Sequence, residues 1–145
     1  ASNGTEALTT WKRLGASNNA TCIYATRTNL QGLPAFSPEK QVACFTTQFS
    51  TMNEPRAVWD GKQWWVVYYT PVTLELVAVP LDSNINPAGP AMVITPATDQ
   101  TEALALTTPH GAAILYNRID PASHYVRRAF ARNIVINARS RAAEH

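Results

Sequence analysis

Three histidines, ten acids and two cysteines are the side chains of this 145-residue chain with chemistry to offer. His110 falls in a turn, His124 in a loop and His145 at the end of the sequence. No His-x-His, His-Glu-x-x-His or Cys-x-x-Cys spacing occurs, so no local metal site is expected. Gly-x-Ser-x-Gly and phosphate-loop patterns are absent as well. Paired carboxylates for glycoside hydrolysis would have to come from the scattered acids Asp60, Asp82, Asp99, Glu102 and Asp120. Several of these lie in turn sequences, where Asp binds its own backbone. The reading is therefore of no catalytic set and no cofactor.

Binding chemistry is better represented. Trp11, Trp59, Trp64, Trp65, Tyr68 and Tyr69 have rings that can stack on a sugar or a peptide. Where they fall inside strands, core packing is the simpler reading. Trp59, beside an Asp-Gly turn, is the best placed for exposure, and Trp11, Trp59 and Asp60 are the ligand candidates. The loop DSNINPAGP (82–90) offers oxygens from Asp82 and Asn84 but lacks the dense carboxylates of a calcium loop, so it is read as a turn.

The elements that must position these residues are strands. Short β-type runs follow one another: TCIYATR (21–27), QVACFTT (41–47), RAVW (56–59), WWVVYY (64–69), LELVAVPL (74–81), AMVIT (91–95), ALALTT (103–108), AAILYN (112–117), and two within HYVRRAFARNIVI (124–136). Turn sequences such as DGK, SPE, DPAS and TPHG separate them, and no helical period intervenes. The chain is thus expected to be all-β. Residues 1–20 are polar without a clean period and are read as an N-terminal, extended segment in which WKRLG is a helical turn or a strand end. Residues 139–145 form a basic tail.

One hairpin echoes another. RAVW-DGKQ-WWVVYY aligns with ALALTT-PHG-AAILYN so that Trp59 matches Thr107, Val67 matches Leu115 and Tyr68 matches Tyr116, an offset of 48 that Glu54 and Glu102 share. Periods of roughly 40–50 residues are those of propeller blades. Stacked blades also explain WWVVYY, whose aromatics on both faces need cover on both faces. Trp64, Val66 and Tyr68 should meet one neighbouring sheet, and Trp65, Val67 and Tyr69 the other.

The composition is 46% hydrophobic and only 15% charged, below the usual ~25%. No run reaches the ~18 apolar residues of a membrane span. Residue 1 is Ala, which predicts a processed chain whose export signal is gone. Residues 1–117 carry six Lys or Arg against eight acids, whereas residues 118–145 carry six Arg against two acids. That basic end has no nucleic-acid motif, so Arg127, Arg128 and Arg132 are read as solvated or as pairing with another chain. Cys22 and Cys44, an even count in a low-charge chain rich in Thr, Asn and Pro, suggest one disulfide and an exported, extracellular or periplasmic protein. Two buried thiols are the alternative. Asn3-Gly4-Thr5 and Asn19-Ala20-Thr21 are glycosylation sequons by pattern.

The stretch from EPRAVWDGKQWWVVYYT through DSNINPAGPAMVITPATDQ to AAILYNRI resembles the tandem repeats of bacterial extracellular β-propeller proteins. The matching positions are Pro55, Val58 to Gly61, Trp65 to Tyr68, Leu81, Asp82, Pro87 to Gly89, Ile94, Thr95, Asp99 and Gln100. RRAFARNI (127–134) is similar to the strand that closes such arrays, so the resemblance covers roughly residues 50–135. The second hairpin departs from it, with Thr107 to Gly111 where Trp-Asp-Gly stands in the family. The resemblance implies architecture far more than activity.

Residues 21–138 are then expected to form about three four-stranded antiparallel units, fewer than the ~4–8 blades of a closed propeller. Such an array would be part of a larger propeller or would be completed by other chains or copies. Trp64, Trp65 and Tyr69, with the three arginines, are the interface candidates. The resulting reading is an exported, non-enzymatic structural or interaction module. Two alternatives are a carbohydrate-binding or glycoside-acting propeller with a central site shared between chains, and a viral capsid subunit of jelly-roll type.

Overall fold

The computed structural model describes residues 1–14, 20–33, 39–46, 54–95, 102–120 and 126–135. They form ten strands: β1 (Glu6–Leu14), β2 (Thr21–Asn29), β3 (Lys40–Phe45), β4 (Arg56–Trp59), β5 (Trp64–Tyr69), β6 (Leu76–Leu81), β7 (Met92–Thr95), β8 (Ala103–Thr108), β9 (Gly111–Asp120) and β10 (Val126–Val135). Every pairing is antiparallel between strands consecutive in sequence, as short turns between β runs dictate. Three sheets result: sheet one is β1-β2-β3, sheet two β4-β5-β6-β7 and sheet three β8-β9-β10.

The chain is all-β, as the turn beat requires. Among the described residues only the middle sheet has four strands, and the sheets do not close into a ring. Three sheets also differ from the two facing sheets of a jelly roll. The basic tail of 139–145 lies outside the described residues.

Two segments fold differently from their sequence reading. Residues 6–14 are a full strand of sheet one, in register from Glu6↔Asn29 to Leu14↔Thr21. Its pattern was obscure because this edge strand fully buries only Leu8, its other positions being threonines, charges, Ala7, an exposed Leu14 and a half-buried Trp11. A domain boundary at residue 21 would therefore cut the first sheet. Residues 126–135 form one strand rather than two, paired from Val126↔Asp120 to Val135↔Gly111. No Gly or Pro interrupts it, and its arginines are exposed, so charge does not break the ladder.

The two hairpins repeat residue for residue. Arg56↔Val67, Ala57↔Val66, Val58↔Trp65 and Trp59↔Trp64 in sheet two correspond to Leu104↔Leu115, Ala105↔Ile114, Leu106↔Ala113 and Thr107↔Ala112 in sheet three. Each pair is displaced by 48 positions. The leading strands of the sheets lie nearest one another, β4 against both β8 and β1. The Thr10 hydroxyl donates across this junction to the carbonyl of Pro55 at 3.0 Å.

β5 is the centre of the core, and all six of its residues are buried. Trp64, Val66 and Tyr68 pack with Val77, Val79 and Leu81 against Leu8, Ile23, Ala25 and Val42 of sheet one. Trp65 and Val67 pack with Val58, Leu76, Ala78 and Ile94 against Ala112, Ile114 and Ile134 of sheet three. Period-two alternation thus gives each neighbouring sheet its own set of side chains, each contributing roughly 1.5–3 kcal/mol on burial for the larger ones. Cys22 and Cys44 stand directly opposite each other on β2 and β3 and form a disulfide.

Candidate functional site

The hairpin between β4 and β5 places Asp60 under its own turn. Gly61 has φ +100°, the left-handed region that Gly enters without steric cost. Asp60 is 4% exposed. One carboxylate oxygen accepts the backbone N–H groups of Lys62 at 2.7 Å and Gln63 at 2.8 Å, and the other accepts Trp65 Nε1–H at 2.7 Å. A carboxylate so engaged holds the turn on the core, which is a structural role for this ligand candidate. Trp59 is half-buried, its ring edge-on to Trp64 with centroids 5.0 Å apart and planes at 60°.

The loop after β6 is pinned in the same way. Asp82 accepts the N–H of Asn84 at 2.8 Å and of Asn86 at 2.9 Å. Those contacts, the backbone N–H of Asn86 foremost, hold its carboxyl below the usual carboxylate value. Ile85 adopts φ +58°, uncommon for a β-branched residue, and in doing so buries its side chain in the layer between sheets one and two. Among the described residues no group of three or more His, Cys, Asp or Glu could hold a metal ion.

Trp11 lies on the outward face of sheet one. It stacks on its cross-strand partner Tyr24 at 6.1 Å and 18°, and the Arg13 guanidinium sits 4.1 Å above the Tyr24 ring. Arg13 also pairs with Glu39 at 2.6 Å. Hydrogen bonding to Tyr24 and then Glu39 raises the Arg13 pKa from its already high value.

The interface candidates Trp64, Trp65 and Tyr69 are 3%, 7% and 7% exposed. The chain's own neighbouring sheets cover β5, so these residues are not a free surface. Arg132, though exposed, is tethered within the chain. Its Nη1 donates to the carbonyls of Val93 at 2.7 Å and Ile94 at 2.9 Å, tying β10 to β7. Arg127 and Arg128 are exposed on β10 opposite Ile119 and Arg118.

The uncovered apolar surface is elsewhere, on sheet three. Ala103, Ala105 and Tyr116 face sheet two. The alternate residues Leu104, Leu106 and Leu115 point the other way and are 57%, 48% and 37% exposed. A groove of 520 Å³ lies where Glu54 and Arg56, at the start of sheet two, meet Glu102, Leu104, Leu115 and Tyr116 at the edge of sheet three.

No family model, curated protein or solved structure matches the chain.

Leu104, Leu106 and Leu115 were not among the candidates drawn from sequence. The signal was present, because Leu115 is the repeat mate of Val67 and Leu106 of Val58. In ALALTT both alternating sets are apolar, as befits a strand with two faces to cover. Large aromatics drew the interface assignment to β5 instead.

Proposed function

We propose that this chain is an exported structural or interaction module, a partial propeller-like array that associates through sheet faces with other chains or further copies of itself. One comparison carries the reading. Val58 and Val67 are 0% and 1% exposed because sheet three covers that face of sheet two, whereas their repeat mates Leu106 and Leu115 are 48% and 37% exposed. A face built like a covered one, yet open to water, is completed by another sheet of the same kind.

The simplest occupant is the outward face of sheet one from a second copy, which presents the Trp11–Tyr24 stack. Two copies would bring the number of sheets to about six, within the ~4–8 of closed propellers. Closure after two copies makes the assembly two-fold symmetric, sheet three of each copy meeting sheet one of the other, and keeps it from growing into a filament. The disulfide between Cys22 and Cys44 supports export, since such bonds persist in oxidising compartments.

Sedimentation of the full chain at micromolar concentration tests the proposal. Association that Leu106→Lys with Leu115→Lys abolishes, while the circular dichroism of the protein is unchanged, supports it. A strictly monomeric wild-type chain over that range counts against it.

A further inference from the structure

The groove beside the open leucines of sheet three is lined by charges that the fold leaves unpaired. Its volume of 520 Å³ falls within the roughly 300–1,000 Å³ of sites that enclose small ligands. Glu102 precedes β8, and its backbone carbonyl accepts the N–H of Asn117 at 3.3 Å. Period-two alternation then sets its side chain on the same face as Leu104 and Leu115. Arg56 reaches in from sheet two, donating through Nε to the carbonyl of Ala103 at 3.5 Å.

Opposite charges lining one hollow ordinarily close on each other. Glu54 does find a partner, pairing with Lys12 at 3.1 Å. Glu102 and Arg56 do not, for among the described residues neither forms an ion pair. Both are exposed and line the groove, so a ligand can reach them. With Glu54 and Lys12 cancelling, the groove presents one negative and one positive group, held apart, beside an apolar wall of Leu104 and Leu115.

That arrangement defines the occupant. A simple cation would meet Arg56 and a simple anion would meet Glu102, so neither sign alone is favoured. A molecule that carries both signs at the ends of an aliphatic body satisfies both. Two extended residues span about 7 Å, which suits charges standing beyond ion-pair contact. We propose that this groove binds a short zwitterionic peptide, a dipeptide with aliphatic side chains. The peptide's ammonium donates to Glu102, and its carboxylate accepts from the Arg56 guanidinium. Asn117 donates through its side-chain amide to the peptide carbonyl, and the aliphatic groups lie along Leu104 and Leu115. Every group comes from one chain, so the site does not depend on association. A bound peptide and a second copy instead compete for the two leucines.

Calorimetric titration of the full, disulfide-bonded chain tests this, with leucyl-leucine as the probe. Saturable binding with a dissociation constant of about 1 mM or below is expected. Acetylating the probe's amine or amidating its carboxylate should each weaken binding about tenfold, and glycyl-glycine should bind about tenfold more weakly too. Glu102→Gln should erase the difference between the probe and its acetylated form. Arg56→Gln should erase the difference between the probe and its amide. Both positions are exposed, and circular dichroism checks that the fold is kept. Leu106→Lys, on the same face but outside the groove, should leave the affinity unchanged or raise it. The proposal is overturned if leucyl-leucine does not saturate by ~10 mM, or if the capped probes bind as tightly as the free one. It is equally overturned if both variants keep the wild-type discrimination, or if Leu106→Lys abolishes binding. A chain that stays monomeric yet binds the probe overturns the association reading and leaves this one standing.

Discussion

Asp60 accepts the indole N–H of Trp65 at 2.7 Å, joining a turn to the layer it overlies. In the repeat the same two positions hold Thr108 and Ala113. Both members of the pair are replaced together, and the Thr108 hydroxyl instead donates to the carbonyl of Gly111 at 3.1 Å. Asp60→Ala strands the indole donor and two turn N–H groups and should lower stability by about 2–3 kcal/mol. Asp60→Asn should also destabilise, because one amide cannot present acceptors to the turn and the indole at once. Urea unfolding of the two variants checks both expectations.

The two exposed leucines and the two buried valines at matching positions should respond in opposite ways. Leu106→Lys with Leu115→Lys should leave the unfolding midpoint nearly unchanged while lowering the sedimenting mass. Val67→Ala removes buried methyl groups from a position 1% exposed and should cost about 1–3 kcal/mol. Sedimentation paired with denaturant titration of each variant separates surface from core.

Reducing the disulfide should destabilise sheet one. Cys22 and Cys44 are 22 positions apart, and closing such a loop contributes about 3 kcal/mol in the chain-entropy view. The urea midpoint with and without reductant measures this, and Cys22→Ser with Cys44→Ser should reproduce the reduced value.

Alkali should weaken the fold through Tyr68. Burial raises its phenol pKa above the ordinary ~10. Below that ordinary value both folded and unfolded states hold the proton and nothing is lost. As pH rises past it, the unfolded state gives up the proton first, so stability falls until the folded-state value is reached. Tyr68→Phe should remove part of this alkaline slope.

Acid acts in the opposite sense on Asp82, whose carboxyl is depressed in the fold chiefly by the Asn86 backbone N–H. Its contribution is present above the ordinary carboxylate value and disappears as pH falls through the lowered one. Asp82→Ala should flatten that acid limb in a titration of the unfolding midpoint.

Strand identity was plain wherever turn chemistry and burial agreed. RAVW, WWVVYY and ALALTT are bounded in the structure as their flanking turns indicate, because Asp-Gly and Pro-His leave the chain few ways to reverse. The division of β5 between two layers was legible for a simpler reason: six bulky residues in a row cannot share one face. β1 was opaque, since a strand edge lined with threonine and lysine carries little hydrophobic rhythm. The open leucines on β8 and β9 were marked by the repeat but passed over, because leucine is common in cores and the large aromatics of β5 stood out.

Arg132 crosses from β10 to take hold of two successive carbonyls on β7, the outermost strand of sheet two. Rows of unclaimed backbone groups at a sheet margin are templates for a foreign strand. With a guanidinium lodged against this one, the margin is a poor place for stray polypeptide to zip on, and contacts are steered toward the flat flanks of the stack.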